Sequence, residues 1–254
     1  MCFAVPHNAG IDTEPASTGM TAPTIICIHG AGGGGWEWGI WARVLVVRGF
    51  AVIAPDLMPV AAGVAQTRFD DYRVQVADWC RGIGEGVILV GASLGGLLAL
   101  AVAHEVKPVA LVLVNPLPPA GVLARPLHDP RPPVVPWASE PSLAATRRAM
   151  PDADDAACLY ALRRWRDESG AVLNAAREGI AVELPRCPTL LLTSELDTYV
   201  PAAAARALAT RLSADTQSIA QASHLGPLLG RAAADAAARV ADWLRDRVSA
   251  VPAV

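Results

Sequence analysis

The chain has 254 residues, of which 53% are hydrophobic and 18% are charged. This balance excludes an intrinsically disordered chain, and the length allows either two small domains or one large one. The formal net charge of −3 gives no electrostatic basis for binding nucleic acid or an anionic membrane surface.

Short apolar runs rich in β-branched residues alternate with helical patterns, which is typical of an α/β fold with a doubly wound, mostly parallel sheet. In chain order, the pattern predicts strands at residues 24–28, 51–54, 87–91, 109–114, 189–193 and 216–220. It predicts helices at residues 36–48, 70–82, 94–106, 201–212 and 232–248. Unbroken apolar strands of this kind are buried on both faces of a sheet.

The longest uncharged stretch, residues 86–104, approaches the roughly 20 residues that a membrane-spanning helix needs. It carries Ser93 and the glycines 91, 95 and 96 near its middle. Glycines at these positions favour a strand followed by a helix over one continuous helix. We therefore expect no membrane span and no membrane partner.

One interval breaks the alternation of strands and helices. Residues 116–136 contain too many prolines for a helix or a central strand, and residues 137–185 favour two or three short helices. Candidate N-caps in that part are Ser139, Ser142, Asp152 and Ser169. We predict that residues 116–186 form a proline-rich and helical insertion between two strands, and that residues 1–115 and 187–254 form the core.

The cysteines and the N-terminus bear on cofactors and location. Five widely spaced cysteines without a C-x-x-C pair predict neither a disulfide framework nor a zinc site. The sequence has no nucleotide-binding fingerprint, so we expect neither a metal nor an organic cofactor. The N-terminus lacks the basic and apolar regions of a secretory signal, and we expect a cytoplasmic location.

Ser93 lies in the sequence Gly-Ala-Ser-Leu-Gly-Gly, directly after a predicted strand and directly before a predicted helix. A nucleophile on such a tight turn needs glycines two positions away on either side, because side chains there would collide with neighbouring elements. The turn would expose the Ser93 hydroxyl and direct the N-terminus of the helix toward it. The alternative is a closely packed glycine turn in which Ser93 only caps the helix.

A serine hydroxyl is a weak nucleophile unless a base, oriented by a third group, lies beside it. Asp197 follows the predicted strand 189–193, and His224 follows the strand 216–220, so both lie at the same sheet edge as Ser93. Glu195 is an alternative carboxylate, and Asp197 could instead cap a helix. Of the other histidines, three are poorly placed as a base: His7, His104 and His128. Asp56 is also at the correct edge, without a matching partner.

A glycine-rich loop with the sequence HGAGGGGW (residues 29–36) follows the first predicted strand. Such a loop can leave backbone N–H groups unpaired and directed at one point, where they stabilise an oxyanion. A phosphate cradle is the alternative, but the loop has neither G-K-[ST] nor a complete dinucleotide-binding pattern. His29 is then interpreted as a residue that fixes the loop.

Four motifs together, HGAGGGGW, GASLGG, SELDTYVP and QASHLGP, resemble those of the α/β-hydrolase superfamily in the same order. The resemblance implies that Ser93 is the nucleophile, His224 the general base and Asp197 its orienting acid. It implies that the N–H groups of Ala31 and Leu94 form the oxyanion hole. It also implies that the insertion is a cap over the substrate pocket.

The stretch HGAGGGGWEW is similar to the corresponding stretch of plant methyl esterases and hydroxynitrile lyases. The lyases place a lysine next to the triad histidine, where this chain has Leu225, so lyase activity is not expected. A serine nucleophile also disfavours haloalkane dehalogenation and epoxide hydrolysis. The reaction expected is hydrolysis of a carboxylic ester of a small, fairly apolar molecule. Thioester hydrolysis, acyl transfer and non-catalytic ligand binding remain alternatives.

Substrate contacts are expected from the cap, the glycine-rich loop and the segment after it. Tryptophans at helical spacing more often belong to the core, so these residues are candidates only. The candidates are Gly32, Trp36, Trp38, Trp137, Leu159, Trp165 and Leu225. The sequence does not indicate an oligomeric state.

Overall fold

A computed structural model describes residues 23–122 and 129–248, and a parallel sheet lies at its centre. The strands in these residues are β1 (Thr24–Ile28), β2 (Ala51–Ile53), β3 (Val87–Ala92), β4 (Ala110–Val114), β5 (Val134–Val135), β6 (Glu168–Ser169), β7 (Thr189–Ser194) and β8 (Asp215–Ile219). Six of them pair in parallel in the order β2-β1-β3-β4-β7-β8. The predicted fold class, a doubly wound α/β sheet, is confirmed.

Helices pack on both faces of this sheet. The helices of the described residues are α1 (Gly39–Val47), α2 (Phe69–Ile83), α3 (Leu94–Val106), α4 (Leu143–Ala149), α5 (Asp155–Leu162), α6 (Gly170–Glu178), α7 (Ala202–Leu212), α8 (Gly226–Leu229) and α9 (Ala233–Arg247), of which α4 and α5 belong to a separate small cluster away from the sheet. Helices α1 and α9 pack on one face, and α2, α3 and α7 pack on the other. Along β3, the side chains of Ile88 and Val90 pack on the face covered by α1 and α9, and the side chain of Leu89 packs on the opposite face. Both faces are covered, which explains why the strand is an unbroken apolar run.

The insertion contains a small second sheet that the sequence did not predict. Strands β5 and β6 are antiparallel, with Val134 opposite Ser169 and Val135 opposite Glu168. Helices α4, α5 and α6 accompany them between β4 and β7. Ser142 and Ser169 are the N-caps of α4 and α6, as predicted. The prediction of Asp152 as an N-cap is wrong, because Asp154 accepts the Ala157 N–H at the start of α5.

Two further differences concern short elements. One turn of 3₁₀ helix, Gly35–Trp38, precedes α1, so the predicted helix 36–48 begins in a different geometry. Helix α8 has four residues, too few for a periodic pattern.

The uncharged stretch 86–104 forms β3, a tight turn and α3. In the part of the chain that the structure describes, no helix is long and apolar enough to cross a membrane.

Candidate active site

Ser93 occupies the turn between β3 and α3 at the centre of the sheet. Its backbone has φ 52° and ψ −116°, a conformation that residues other than glycine rarely adopt. Backbone hydrogen bonds hold it there: the Ser93 N–H donates to the carbonyl of Val114 at 3.0 Å, and its own carbonyl accepts from the Leu117 N–H at 3.0 Å. A strained serine held from both sides is typical of a functional residue.

The two glycines that flank Ser93 are required by close backbone contacts. A methyl group at Gly91 would lie 2.3 Å from the carbonyl oxygen of Gly95. A methyl group at Gly95 would lie 2.2 Å from the carbonyl oxygen of Ile28. Both distances are far below van der Waals contact, so only glycine fits at these two positions. The sterically demanding turn inferred from the sequence is therefore present.

His224 and Asp197 lie side by side at the same edge of the sheet. The distance from His224 Nδ1 to Asp197 Oδ2 is 2.8 Å, and the two side chains are 8% and 5% exposed. The other oxygen of Asp197 accepts the backbone N–H groups of Tyr199 and Val200 at 2.7 and 3.0 Å. A carboxylate can only accept, so Nδ1 carries the imidazole proton and Nε2 remains available as a base.

The alternative acids and bases lie elsewhere. Glu195 is exposed and accepts the backbone N–H of Gln221 at 3.4 Å. His104 lies on α3 and pairs with Glu183 at 3.1 Å. His7 and His128 are outside the described residues. Asp56 accepts the Gly35 N–H at 2.7 Å and pairs with Arg166 at 3.4 Å, in keeping with a structural role.

Asn115 is a buried residue at this site that the sequence analysis missed. Its Nδ2 donates to Ser194 Oγ and to the carbonyl oxygen of His224, both at 2.8 Å. Its Oδ1 accepts the Ser194 N–H at 2.9 Å. The side chain therefore joins the ends of β4 and β7 to the segment that carries His224. A polar residue directly after a buried strand was the available signal, and its φ of 44° is one that asparagine tolerates.

The glycine-rich loop passes directly beside Ser93. A methyl group at Gly30 would lie 3.4 Å from Ser93 Cβ. His29 fixes the loop: its Nε2 accepts the Leu57 N–H at 2.9 Å, so its Nδ1 carries the proton and donates to the Gly30 carbonyl at 2.8 Å. Burial lowers the pKa of His29 to about 4, so the ring is neutral near pH 7.

Most N–H groups of this loop are engaged inside the protein. The Gly30 N–H donates to Glu37 at 3.2 Å, the Gly32 N–H to Glu168 at 3.0 Å and the Gly33 N–H to the Gly30 carbonyl at 3.2 Å. The Ala31 N–H donates no hydrogen bond within the described residues. The Gly30 carbonyl is anchored, and the N–H of the same trans peptide, that of Ala31, points the opposite way.

Glu37 is a second residue that the sequence analysis missed. The residue is 1% exposed, and its carboxyl group accepts the Gly30 N–H. Burial raises the pKa of Glu37 to about 8, partly offset by the Gly30 hydrogen bond and the charge of Arg166. In the sequence Glu37 is an ordinary polar residue between two tryptophans, and no pattern indicates its burial.

A cavity of about 650 Å³ opens above Ser93 and His224. Of the residues predicted to contact substrate, Trp137, Trp165 and Leu225 line it together with Ala31. Gly32, Trp36 and Leu159 are not among the lining residues. Trp36 instead packs edge-on against Tyr160 and Trp165, and Trp38 packs against Trp41 in the core. Lining residues that the sequence analysis did not name include Glu37, Leu117, Arg131, Glu140, Thr146, Leu173, Arg177 and Tyr199.

Comparisons with known proteins agree with this architecture. Norfluorocurarine synthase 1 from a Strychnos species is 33% identical over 115 residues, which are 41% of this chain and 42% of that relative. A pyrethroid hydrolase from Sphingobium faniae JZ-2 superposes with a TM-score of 0.65 and 21% identity, covering 89% of this chain and 97% of that one. Polyneuridine aldehyde esterase gives a TM-score of 0.63 and 18% identity, covering 87% and 100%.

At these identities the two structures establish the fold, and the curated relative is matched over less than half its length. The family is established by a sequence model of the alpha/beta hydrolase family, which matches residues 25–243 of this chain. That range spans the parallel sheet except for Thr24 and includes most of α9. The family resemblance predicted from the sequence motifs is confirmed, and this chain belongs to the alpha/beta hydrolase family.

Proposed function

We propose that the protein is a carboxylic ester hydrolase that acts through an acyl-enzyme on Ser93. The observation that carries this proposal is the 2.8 Å contact between His224 Nδ1 and Asp197 Oδ2, at the edge of a cavity that Ser93 also lines. Membership of the alpha/beta hydrolase family supports hydrolase activity in general. An imidazole oriented by a buried carboxylate is the base that a serine nucleophile requires.

In the proposed mechanism, Ser93 Oγ attacks the ester carbonyl while His224 Nε2 takes its proton. The resulting imidazolium is stabilised by Asp197 and then donates the proton to the leaving alcohol. Water, activated by His224, attacks the acyl-enzyme, and the departing Ser93 oxygen takes back the proton. Each step transfers one proton through the same nitrogen, so no further acid or base is needed.

The oxyanion of each tetrahedral intermediate would be bound by the N–H groups of Ala31 and Leu94. Ala31 is the loop position between two glycines whose N–H groups are already engaged. Leu94 is the first residue of α3, where a helical N–H has no intrahelical acceptor. Such preorganised donors stabilise the transition state more than the substrate.

The cavity favours a small, largely apolar ester. Its walls include Trp137, Trp165 and Leu173 from the insertion and Leu225 beside His224. We therefore propose that residues 116–186 act as the cap that covers substrate, and that residues 1–115 and 187–254 form the hydrolase core. A thioester of similar shape would react by the same route.

The test is covalent labelling with a fluorophosphonate, followed by turnover of a panel of esters that differ in acyl and alcohol length. Labelling is expected on Ser93, and Ser93→Ala is expected to lower kcat by about a millionfold if the three residues act as a unit. Ser218→Ala is the matched control, because Ser218 is exposed on β8. The panel includes a thioester and an added alcohol acceptor, which reveal thioesterase or acyl transfer. A folded Ser93→Ala variant that keeps its turnover would refute the proposal.

A further inference from the structure

We infer that Glu168, in the insertion, is a positioning residue that holds the glycine-rich loop so that the Ala31 N–H faces the reacting carbonyl. The inference rests on the proposed function, because it concerns the proposed oxyanion hole. It adds a role for the insertion beyond covering the substrate. The segment that forms the cap also sets the geometry of the catalytic loop.

Glu168 makes its contacts from a buried position on β6. The residue is 3% exposed. Its Oε2 accepts the Gly32 N–H at 3.0 Å. Its Oε1 accepts the Tyr72 hydroxyl at 3.1 Å and the Ser169 N–H at 2.7 Å. The carboxylate therefore joins the loop, helix α2 and the insertion in one hydrogen-bonded group.

Tyr72 is a reliable donor to this group. Burial, followed by the charge of Glu168, raises the pKa of Tyr72 well above its usual value, so its hydroxyl keeps its proton. All three partners of Glu168 are thus N–H or O–H donors. A carboxylate with acceptor sites on both oxygens matches them, and a side chain with an N–H₂ group does not.

The insertion also holds the other side of Gly32. The Arg166 N–H donates to the Gly32 carbonyl at 2.8 Å. Gly32 has φ +66°, and a methyl group there would lie 2.1 Å from the Trp137 ring. Two hydrogen bonds, to Glu168 and from Arg166, and the packing of the Trp137 ring therefore hold the backbone of Gly32 in place. All three residues are more than 100 positions away in the sequence.

These contacts fix the peptide plane next to the one that carries the Ala31 N–H. Without the Glu168 bond, the Gly32 N–H would be free to turn toward the cavity and to compete with Ala31 for the oxyanion or for water. Gly32 is followed by three more glycines, and such a backbone resists this rotation only weakly. A misplaced donor costs transition-state stabilisation and leaves the ground-state binding of the substrate almost unchanged.

The test compares Glu168→Gln with wild type, with Asp167→Asn as the matched control. Asp167 is the preceding residue and accepts bonds from Ala138 and Ser139, also in the insertion, without contacting the loop. The glutamine side chain would place an N–H₂ group against at least one of the three donors. Since one oxyanion donor is worth about 10²- to 10³-fold in kcat, we expect a fall of about 10- to 100-fold in kcat with KM changed less than about threefold. Asp167→Asn is expected to keep kcat within about twofold.

A second measurement can overturn the inference with the wild-type protein alone. Amide hydrogen exchange resolved by residue is expected to show a protected Gly32 N–H in the wild-type protein and an unprotected Ala31 N–H. In Glu168→Gln, Gly32 is expected to lose its protection. If Gly32 exchanges like an exposed loop amide in wild type, the inference is overturned even if Glu168→Gln does not fold.

The outcomes separate this inference from the proposed function. If esters are cleaved in a Ser93-dependent way and folded Glu168→Gln turns over at the wild-type rate, the positioning role is wrong and the hydrolase proposal stands. An equal loss in Asp167→Asn would also overturn it, because general damage to the insertion would then explain the effect. If wild type and Ser93→Ala behave alike toward esters, the proposed function itself fails, and the positioning role fails with it.

Discussion

Replacing Glu37 by glutamine should change how stability depends on pH. Burial raises the pKa of the carboxyl group from 4.5 to about 8 in the folded protein. The folded state therefore keeps a proton that the unfolded state releases between pH 4.5 and 8, so the contribution of Glu37 to stability is full below about pH 4.5 and falls as pH rises through this window. A shift of this size corresponds to a loss of about 5 kcal/mol above pH 8 and about 3 kcal/mol at pH 7. Glutamine keeps an acceptor for the Gly30 N–H and has no proton to lose.

Urea unfolding of both proteins at intervals between pH 5 and pH 9 measures this effect. The difference in free energy of unfolding, variant minus wild type, is expected to rise steadily with pH and to level off above pH 8. His29 titrates in the opposite sense below pH 6.5, but it is present in both proteins, so its contribution cancels. Glu178→Gln, at an exposed position on α6, is the control and is expected to give a flat difference. A flat difference for Glu37→Gln as well would refute the reasoning.

Two further predictions concern the turn and the histidine segment. Gly91→Ala would place a methyl group 2.3 Å from the Gly95 carbonyl oxygen and is expected to lower the free energy of unfolding by about 3 kcal/mol or more. Gly39→Ala, whose methyl group would meet no atom within 4 Å, is expected to raise it by about 0.5 kcal/mol. Thermal unfolding of both variants checks this. Asn115→Ala removes one buried and two partly buried hydrogen bonds, including the one to the His224 carbonyl. Urea unfolding is therefore expected to show a loss of about 2–3 kcal/mol, and ester turnover is expected to show a lower kcat. Normal turnover in folded Asn115→Ala would contradict its link to His224.

The sequence predicts the sheet well because the four inner strands, β1, β3, β4 and β7, are largely buried on both faces. Strand β1 and helix α3 have the predicted bounds, and the other main elements differ by at most one residue at each end, except that α1 begins at Gly39 and not at residue 36. The sequence does not predict the short elements β5, β6 and α8, which have too few residues for a period. Their formation depends on contacts made by the folded insertion, which local patterns do not encode.

The candidate site divides in the same way. Ser93, Asp197 and His224 follow predicted strands, and the topology of a parallel sheet brings such positions to one edge. Glu37 and Glu168 do not follow a predicted strand. They differ from other glutamates only in being buried in the folded protein, which no local sequence pattern indicates. Glu168 contacts Gly32 across 136 positions of sequence. Trp36 was expected at the pocket, but its ring packs with Tyr160 and Trp165 in a cluster of aromatic side chains.

The hydrogen bonds that Arg166 and Glu168 make to Gly32 have a consequence for transplanting substrate specificity between related enzymes. A chimera that exchanges the whole of residues 116–186 would import a foreign residue opposite Gly32 along with the foreign pocket wall. The exchange would then disturb catalysis and selectivity together, and the two effects would be hard to separate. A cleaner design keeps residues 166–169 from the recipient and grafts only the helices on either side. In homologous sequences, the glycine-rich loop and this four-residue segment are expected to vary as one unit.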